Sequence, residues 1–126
     1  SRSQYFQIQP DNTDVSVDTA NYVATMQVDV LPKQGGGYYV KCPDTDVGKG
    51  QKKVKLRWEM ITDGWKILDV HGLSYPVFVD KSKDGFDYKC KDKNSSKAEY
   101  KYTIVVGNAT TELVLLLDPT IRNGGQ

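Results

Sequence analysis

Histidine occurs once in this 126-residue chain and cysteine twice, and the longest apolar run is the five residues Leu113 to Leu117. Each scarcity excludes something. A helix that spans a bilayer needs about 18 apolar residues, so no such span is encoded. A blue-copper site needs two histidines, and a zinc site needs more His and Cys ligands than are present, with no Cys-x-x-Cys among them. Neither a metal nor a cofactor is expected. Any Ser-His-Asp or Cys-His arrangement would have to run through His71, which precedes Gly72 and reads as an exposed loop residue. One-sided charge is missing too: 17 Lys+Arg against 16 Asp+Glu leave +1, so no global field recruits nucleic acid or lipid. The opening Ser1-Arg-Ser-Gln-Tyr-Phe6 lacks the apolar core of a signal peptide. A cytoplasmic chain is expected, with an exported mature chain left open.

What is present is an ordinary globular composition, 38% hydrophobic and 26% charged, enough to bury a core without metal or disulfide. Cys42 and Cys90 read as thiols, with one disulfide as the alternative if packing brings their Cα atoms within about 7 Å. Period-two alternation recurs and helical period does not. Residues 3 to 9 alternate. Tyr22, Ala24, Met26, Val28 and Val30 share one face, and Val54, Leu56, Trp58 and Met60 alternate with Lys53, Lys55, Arg57 and Glu59. Trp65, Ile67 and Asp69 interleave with Lys66, Leu68 and Val70; runs at Tyr75 to Val79 and Phe86 to Cys90 follow. A weak helical turn fits only around Thr13 to Asn21.

Turn signals at Asp11-Asn12, Gly35-Gly-Gly37, Asp44 to Gly50, Asp63-Gly64, Asp84-Gly85, Asn94 to Ser96 and Gly107-Asn108 separate these runs. Short strands at such spacing predict an all-β fold: a single antiparallel β-sandwich of about seven to nine strands, immunoglobulin-like or cupredoxin-like in outline and without metal. It spans residues 1–126 as one domain, with 119–126 as a C-terminal tail.

The closing hairpin is the most specific pattern. Tyr100 to Val106 alternates, turns at Gly107-Asn108, and returns through Leu113 to Leu117. A loop from Gly107 to Thr110 sets Val106 against Thr111, Ile104 against Leu113, Tyr102 against Leu115 and Glu99 against Asp118. Because the last strand is apolar on both faces, it is expected to be covered, with Asp118 at its buried rim.

The pattern Tyr100-x-Tyr102-x-Ile104-x-Val106, followed by an apolar strand ending in Asp118-Pro119-x-Ile121-x-Asn123, resembles the close of the DP-EP family of small bacterial all-β proteins. It is more loosely similar to the ending of PixA/AidA-type inclusion-body proteins. The resemblance covers roughly residues 53 to 123; where the family has a Glu-Pro dipeptide, this chain reads Asn123-Gly124-Gly125. It implies a compact sandwich for which Asp-Pro self-cleavage is a conceivable activity.

Asp-Pro is labile because the aspartyl carboxyl can attack its own main-chain carbonyl, expelling proline's basic secondary nitrogen. A self-processing peptidase would therefore use Asp118 and Pro119, with Lys101, Tyr100, Tyr22 or Thr120 as proton donor. The bland alternative is that Asp-Pro simply ends a strand. Other constellations are weaker. Asp44 and Asp46 with Gly48 and Gly50 lack EF-hand spacing and read as a solvated turn, and Gly35-Gly-Gly37 reads as a hairpin loop. Lys81, Lys83, Lys89, Lys91, Lys93, Lys97 and Lys101 fall around Phe86, Tyr88, Tyr100 and Tyr102, diluted by Asp84, Asp87, Asp92 and Glu99. Basic residues interleaved with aromatics can bind single-stranded nucleic acid or an anionic glycan, but with these acids among them and no nucleic-acid motif they read as a solvated, edge-protecting lysine face. Asn94-Ser-Ser96 and Asn108-Ala-Thr110 are formal glycosylation acceptors in turns. The leading function is a non-catalytic binding or self-associating module. Its expected partners are another copy of the chain or an unidentified protein or small ligand, with neither nucleic acid nor membrane expected.

Overall fold

The computed structural model describes residues 14–80 and 84–126, so the alternating stretch 3–9 and Lys81 and Lys83 lie outside the described residues. The described residues are all β, with no helix. The strands are β1 (Val15–Ser16), β2 (Val23–Pro32), β3 (Tyr38–Lys41), β4 (Thr45–Val47), β5 (Val54–Met60) and β6 (Trp65–His71), then β7 (Val77–Asp80), β8 (Asp87–Asp92), β9 (Lys97–Lys101), β10 (Thr103–Asn108), β11 (Val114–Leu117) and β12 (Thr120–Gly124). They form a five-stranded sheet β3-β2-β5-β8-β7, a three-stranded sheet β11-β10-β6 and a four-stranded sheet β1-β4-β12-β9.

More strands form than the alternation predicts, because single runs are cut where the chain passes from one sheet to another. Tyr100 to Val106 reads as one strand. In the structure it divides at Tyr102, with β9 pairing β12 and β10 pairing β6 and β11. Two other crossings fall at prolines. Cys42-Pro43-Asp44 carries the chain from β3 into β4, and Asp118-Pro119 from β11 into β12. Proline has no N–H for a ladder, so a sheet edge or exit is where it fits. The pairing is also mixed rather than wholly antiparallel: β2 runs parallel to β5, and β4 parallel to both β1 and β12.

Alternation sets the inner face as expected. Ala24, Met26, Val28 and Val30 of β2 and Val54, Leu56, Trp58 and Met60 of β5 are buried, and they meet Ile104, Val106 and Ile121 in one core. Each such large side chain, fully buried, contributes roughly 1.5–3 kcal/mol. In β6 a bulge at the Val105/Val106 step changes the phase: Val70 turns inward and Asp69 outward, the reverse of strict alternation. The segment 17–22 forms a turn rather than a helix, closed by Tyr22 N–H donating to the Asp18 carbonyl.

Three expectations for the end of the chain are corrected. The hairpin closes around residues 109–112, where Asn108 Oδ1 accepts from the N–H groups of Thr110 and Thr111. The register therefore moves by four: Val106 pairs Leu115 and Ile104 pairs Leu117. Gly107 belongs to β10, not to the turn: it pairs Val114 on one side and Lys66 on the other, and Leu68 Cδ1 lies 2.7 Å from where its Cβ would be. Second, β11 is an edge strand, with Val114 and Leu116 exposed and only Leu115 and Leu117 leaning on the core. Third, residues 119–126 are not a loose tail: β12 lies between β4 and β9, and Ile121 is fully buried.

Candidate functional site

The Asp118-Pro119 corner is pinned from three directions. Thr103 Oγ1 donates to Asp118 Oδ1 at 2.7 Å, Tyr102 N–H donates to the Pro119 carbonyl at 3.2 Å, and Thr120 N–H donates to Asp44 Oδ1 at 2.9 Å. Asp118 is exposed and Pro119 buried, so the aspartate faces water rather than the dry rim expected for it. The reason is the edge position of β11, whose outward side continues into Asp118. Of the proton donors named from sequence, Lys101 Nζ lies 3.4 Å from Thr120 Oγ1, one residue past the bond. Tyr100 pairs Ile121 and is half-buried, and burial, then the nearby Asp92 charge, raise its hydroxyl above the ordinary tyrosine value. Tyr22 sits just before β2, in another sheet.

Thr103, which sequence reasoning passed over, stands beside Asp118. Thr103 pairs His71 across β10 and β6, so His71 ends a strand instead of occupying a loop. Its Nδ1 lies 3.1 Å from Asp69 Oδ2. The outer face of this small sheet therefore carries Asp69, His71, Thr103 and Asp118 at one end. At the other it is apolar: Leu116 is 64% exposed, Val114 56%, Leu68 49% and Leu113 41%. Lys66, Leu68, Gly107, Asn108, Glu112, Leu113 and Val114 border a shallow groove there of about 220 Å³. Gly107, read from the sequence as a turn residue, was the signal that could have found Leu68, because a glycine inside a strand marks a close approach.

The carboxylates Asp44 and Asp46 are not a solvated turn. Asp44 precedes β4, Asp46 lies within it, and both grip Arg122 of β12: Nε donates to Asp46 at 2.8 Å, Nη1 to Asp44 at 3.2 Å, and Nη2 to Asp14 at 2.6 Å. These bonds, Asp46 first, hold the guanidinium more firmly protonated than usual. No group of three or more His, Cys, Asp or Glu side chains among the described residues is arranged to hold a metal ion.

Beneath the four-stranded sheet lies a polar knot. Asn94, fully buried, donates from Nδ2 to the carbonyls of Gly48 and Gln51 at 2.8 Å and of Gly125 at 3.3 Å, while its Oδ1 accepts from Gly125 N–H. A side-chain nitrogen bonded to backbone in this way is closed to glycosylation in the fold. Asp92, also fully buried, accepts from Asn94 N–H and from Asn123 Nδ2. Its Oδ2, Asn123 Oδ1 and Thr45 Oγ1 receive no hydrogen bond from a described residue.

Cys42 and Cys90 are buried thiols not joined to each other. Burial, as the main cause, pushes the Cys42 thiol up to about 12, so it is no nucleophile at neutral pH. The lysine cluster read along the sequence disperses: Lys89 and Lys91 stand on β8 with Lys93 just beyond it, whereas Lys97 and Lys101 stand on β9 in a different sheet. Phe86 lies under Lys66, whose Nζ is 5.5 Å from the ring centre. Among the described residues there is no helix long and apolar enough to cross a membrane. No protein-family model matches this chain, and no curated protein matches its sequence.

Proposed function

We propose that this protein is a non-catalytic, self-associating module that pairs with a second copy of itself through the outer face of the β6–β10–β11 sheet. The observation that carries the reading is the contiguous apolar stripe Leu68, Val114 and Leu116, with Leu113 at its end, exposed on an edge sheet. Monomeric proteins rarely leave such stripes uncovered. Charge favours a second copy as the occupant. Lys66 and Glu112 border the same groove, and a two-fold pairing places each against the other's counterpart, forming the contact twice. The DP-EP resemblance is compatible with this reading, since it implies a compact sandwich, with Asp-Pro self-cleavage as the alternative activity.

Sedimentation or light scattering across a concentration series tests it. Dimer is expected to grow with concentration, and Leu116→Lys is expected to leave monomer throughout while keeping the wild-type melting temperature. Glu112→Lys should weaken pairing, and adding Lys66→Glu should restore it. A wild-type chain that stays monomeric up to high micromolar concentration removes the proposal.

A further inference from the structure

The five-stranded sheet segregates charge in a way that composition hides. Strand β5 turns Lys55, Arg57 and Glu59 outward, and β8 turns Asp87, Lys89 and Lys91 outward, while their alternate residues are buried. Register then sets like against like: Lys55 pairs Lys91, Arg57 pairs Lys89 and Glu59 pairs Asp87. At one end Arg57 resolves the conflict, reaching Asp87 at 2.8 Å and Glu59 at 3.2 Å, with Lys89 3.9 Å from Asp87.

The other end has no such remedy. Lys55 and Lys91 face each other, and Lys53 and Lys93 follow just beyond the pair Val54–Asp92. No carboxylate of a described residue pairs with any of these four. Asp92, the acidic neighbour in sequence, points into the core. Like charges directly opposed across strands are destabilising, so this arrangement works against the fold unless an anion occupies it. Two exposed tyrosines flank the quartet. Tyr22 is 53% exposed, and its carbonyl accepts from Lys55 N–H; Tyr75 is 61% exposed, with Lys93 Nζ 5.1 Å from its ring centre.

We infer that the outer face formed by Lys53, Lys55, Lys91 and Lys93, with Tyr22 beside it, binds single-stranded nucleic acid. Two adjacent rows of cations match the phosphates of an extended polyanion. A bordering aromatic ring gives a base a face to stack on, and that stacking is tolerant of sequence. The +1 net charge does not bear against this, because electrostatic capture depends on the local field, and Glu59 and Asp87 on the same outer face are paired with Arg57 at its other end. The face belongs to a different sheet from the apolar groove, so either proposal can fail alone.

Fluorescence anisotropy of a labelled oligo-dT strand, titrated with wild-type chain at several salt concentrations, tests the inference. Micromolar binding that weakens with salt is expected. Lys55→Glu with Lys91→Glu should weaken it at least about tenfold and flatten the log–log salt slope, by about 0.7 for each phosphate no longer neutralised. Tyr22→Ala should weaken binding about tenfold with the slope unchanged. Lys97→Glu, on another sheet, should do neither. Thermal melts confirm that each variant is folded. Absence of salt-sensitive binding overturns the inference. So does an equal effect of Lys97→Glu, or binding to heparin or anionic vesicles without binding to the oligonucleotide.

Discussion

Trp58 Nε1 donates to Tyr102 Oη at 2.8 Å, and the two rings meet edge to face with centroids 5.4 Å apart. This contact joins the middle of the five-stranded sheet to the residue at which the chain leaves β9 for β10. Burial raises the Tyr102 hydroxyl well above its ordinary value, so it stays neutral and able to accept. Tyr102→Phe keeps the ring and leaves a buried indole N–H unpaired. A loss of roughly 1–3 kcal/mol is expected in urea unfolding, with the m-value unchanged. Unaltered stability would mean that the indole has another partner.

Burial raises the Asp92 carboxyl above its ordinary value of 3.8, outweighing the bonds from Asn94 N–H and Asn123 that pull it down. The folded state therefore binds the proton more tightly than the unfolded chain does. This group's contribution is full below pH 3.8 and is lost as pH rises through the folded value. Asp92→Asn retains an acceptor for both bonds to Oδ1 and removes the buried ionisable group. It is expected to stabilise the protein by about 1 kcal/mol at pH 7 and to flatten the pH profile. Calorimetry at a series of pH values checks both, and destabilisation at pH 7 would mean that the ionised carboxylate is the form the fold prefers.

Gly125 has φ +82°, and a Cβ there would lie 2.7 Å from the Lys97 nitrogen. Gly125→Ala is expected to cost roughly 1–3 kcal/mol, measured as a fall in melting temperature. Asn94→Asp should cost at least as much, since it removes the donor to three backbone carbonyls and buries a charge.

Both cysteines should resist a thiol reagent in the native state and react together once the protein is unfolded, because Cys42 and Cys90 are buried in the same core. Fast reaction of one thiol at neutral pH would show that the core opens locally.

The Asp118-Pro119 bond is expected to stay intact at neutral pH, since Asp118 Oδ1 is tied to Thr103 and the corner is anchored on both sides. The check is intact mass under denaturing conditions, because β12 would remain clasped by its neighbours even after cleavage. Loss of the 119–126 mass in wild type but not in Asp118→Ala would revive self-processing.

Inside and outside were legible wherever alternation was clean. Lys53 to Met60 separates cations from apolar residues because successive side chains of a strand point to opposite faces, whatever lies beside them. The all-β class, the turn at Gly35 to Gly37 and the exposure of Lys55 and Lys91 follow from that local rule. The candidate sites were less legible. Asp118 and His71 could be picked out by their chemistry, but Thr103 could not be, since nothing local announces a cross-strand neighbour.

The order of polar and apolar residues along this chain is enough to make strands and to say which side of each is buried, because that follows from backbone geometry one residue at a time. Which strands become neighbours, and in what register, depends on contacts far apart in sequence. Strand order left β11 at an open edge and so gave Asp118 to water, and the pairing of β6 with β10 brought Leu68 over Gly107. Lysines 55 and 91 are opposed for the same reason: a strand's partner is selected by the packing of the whole chain, and its own residues cannot name it.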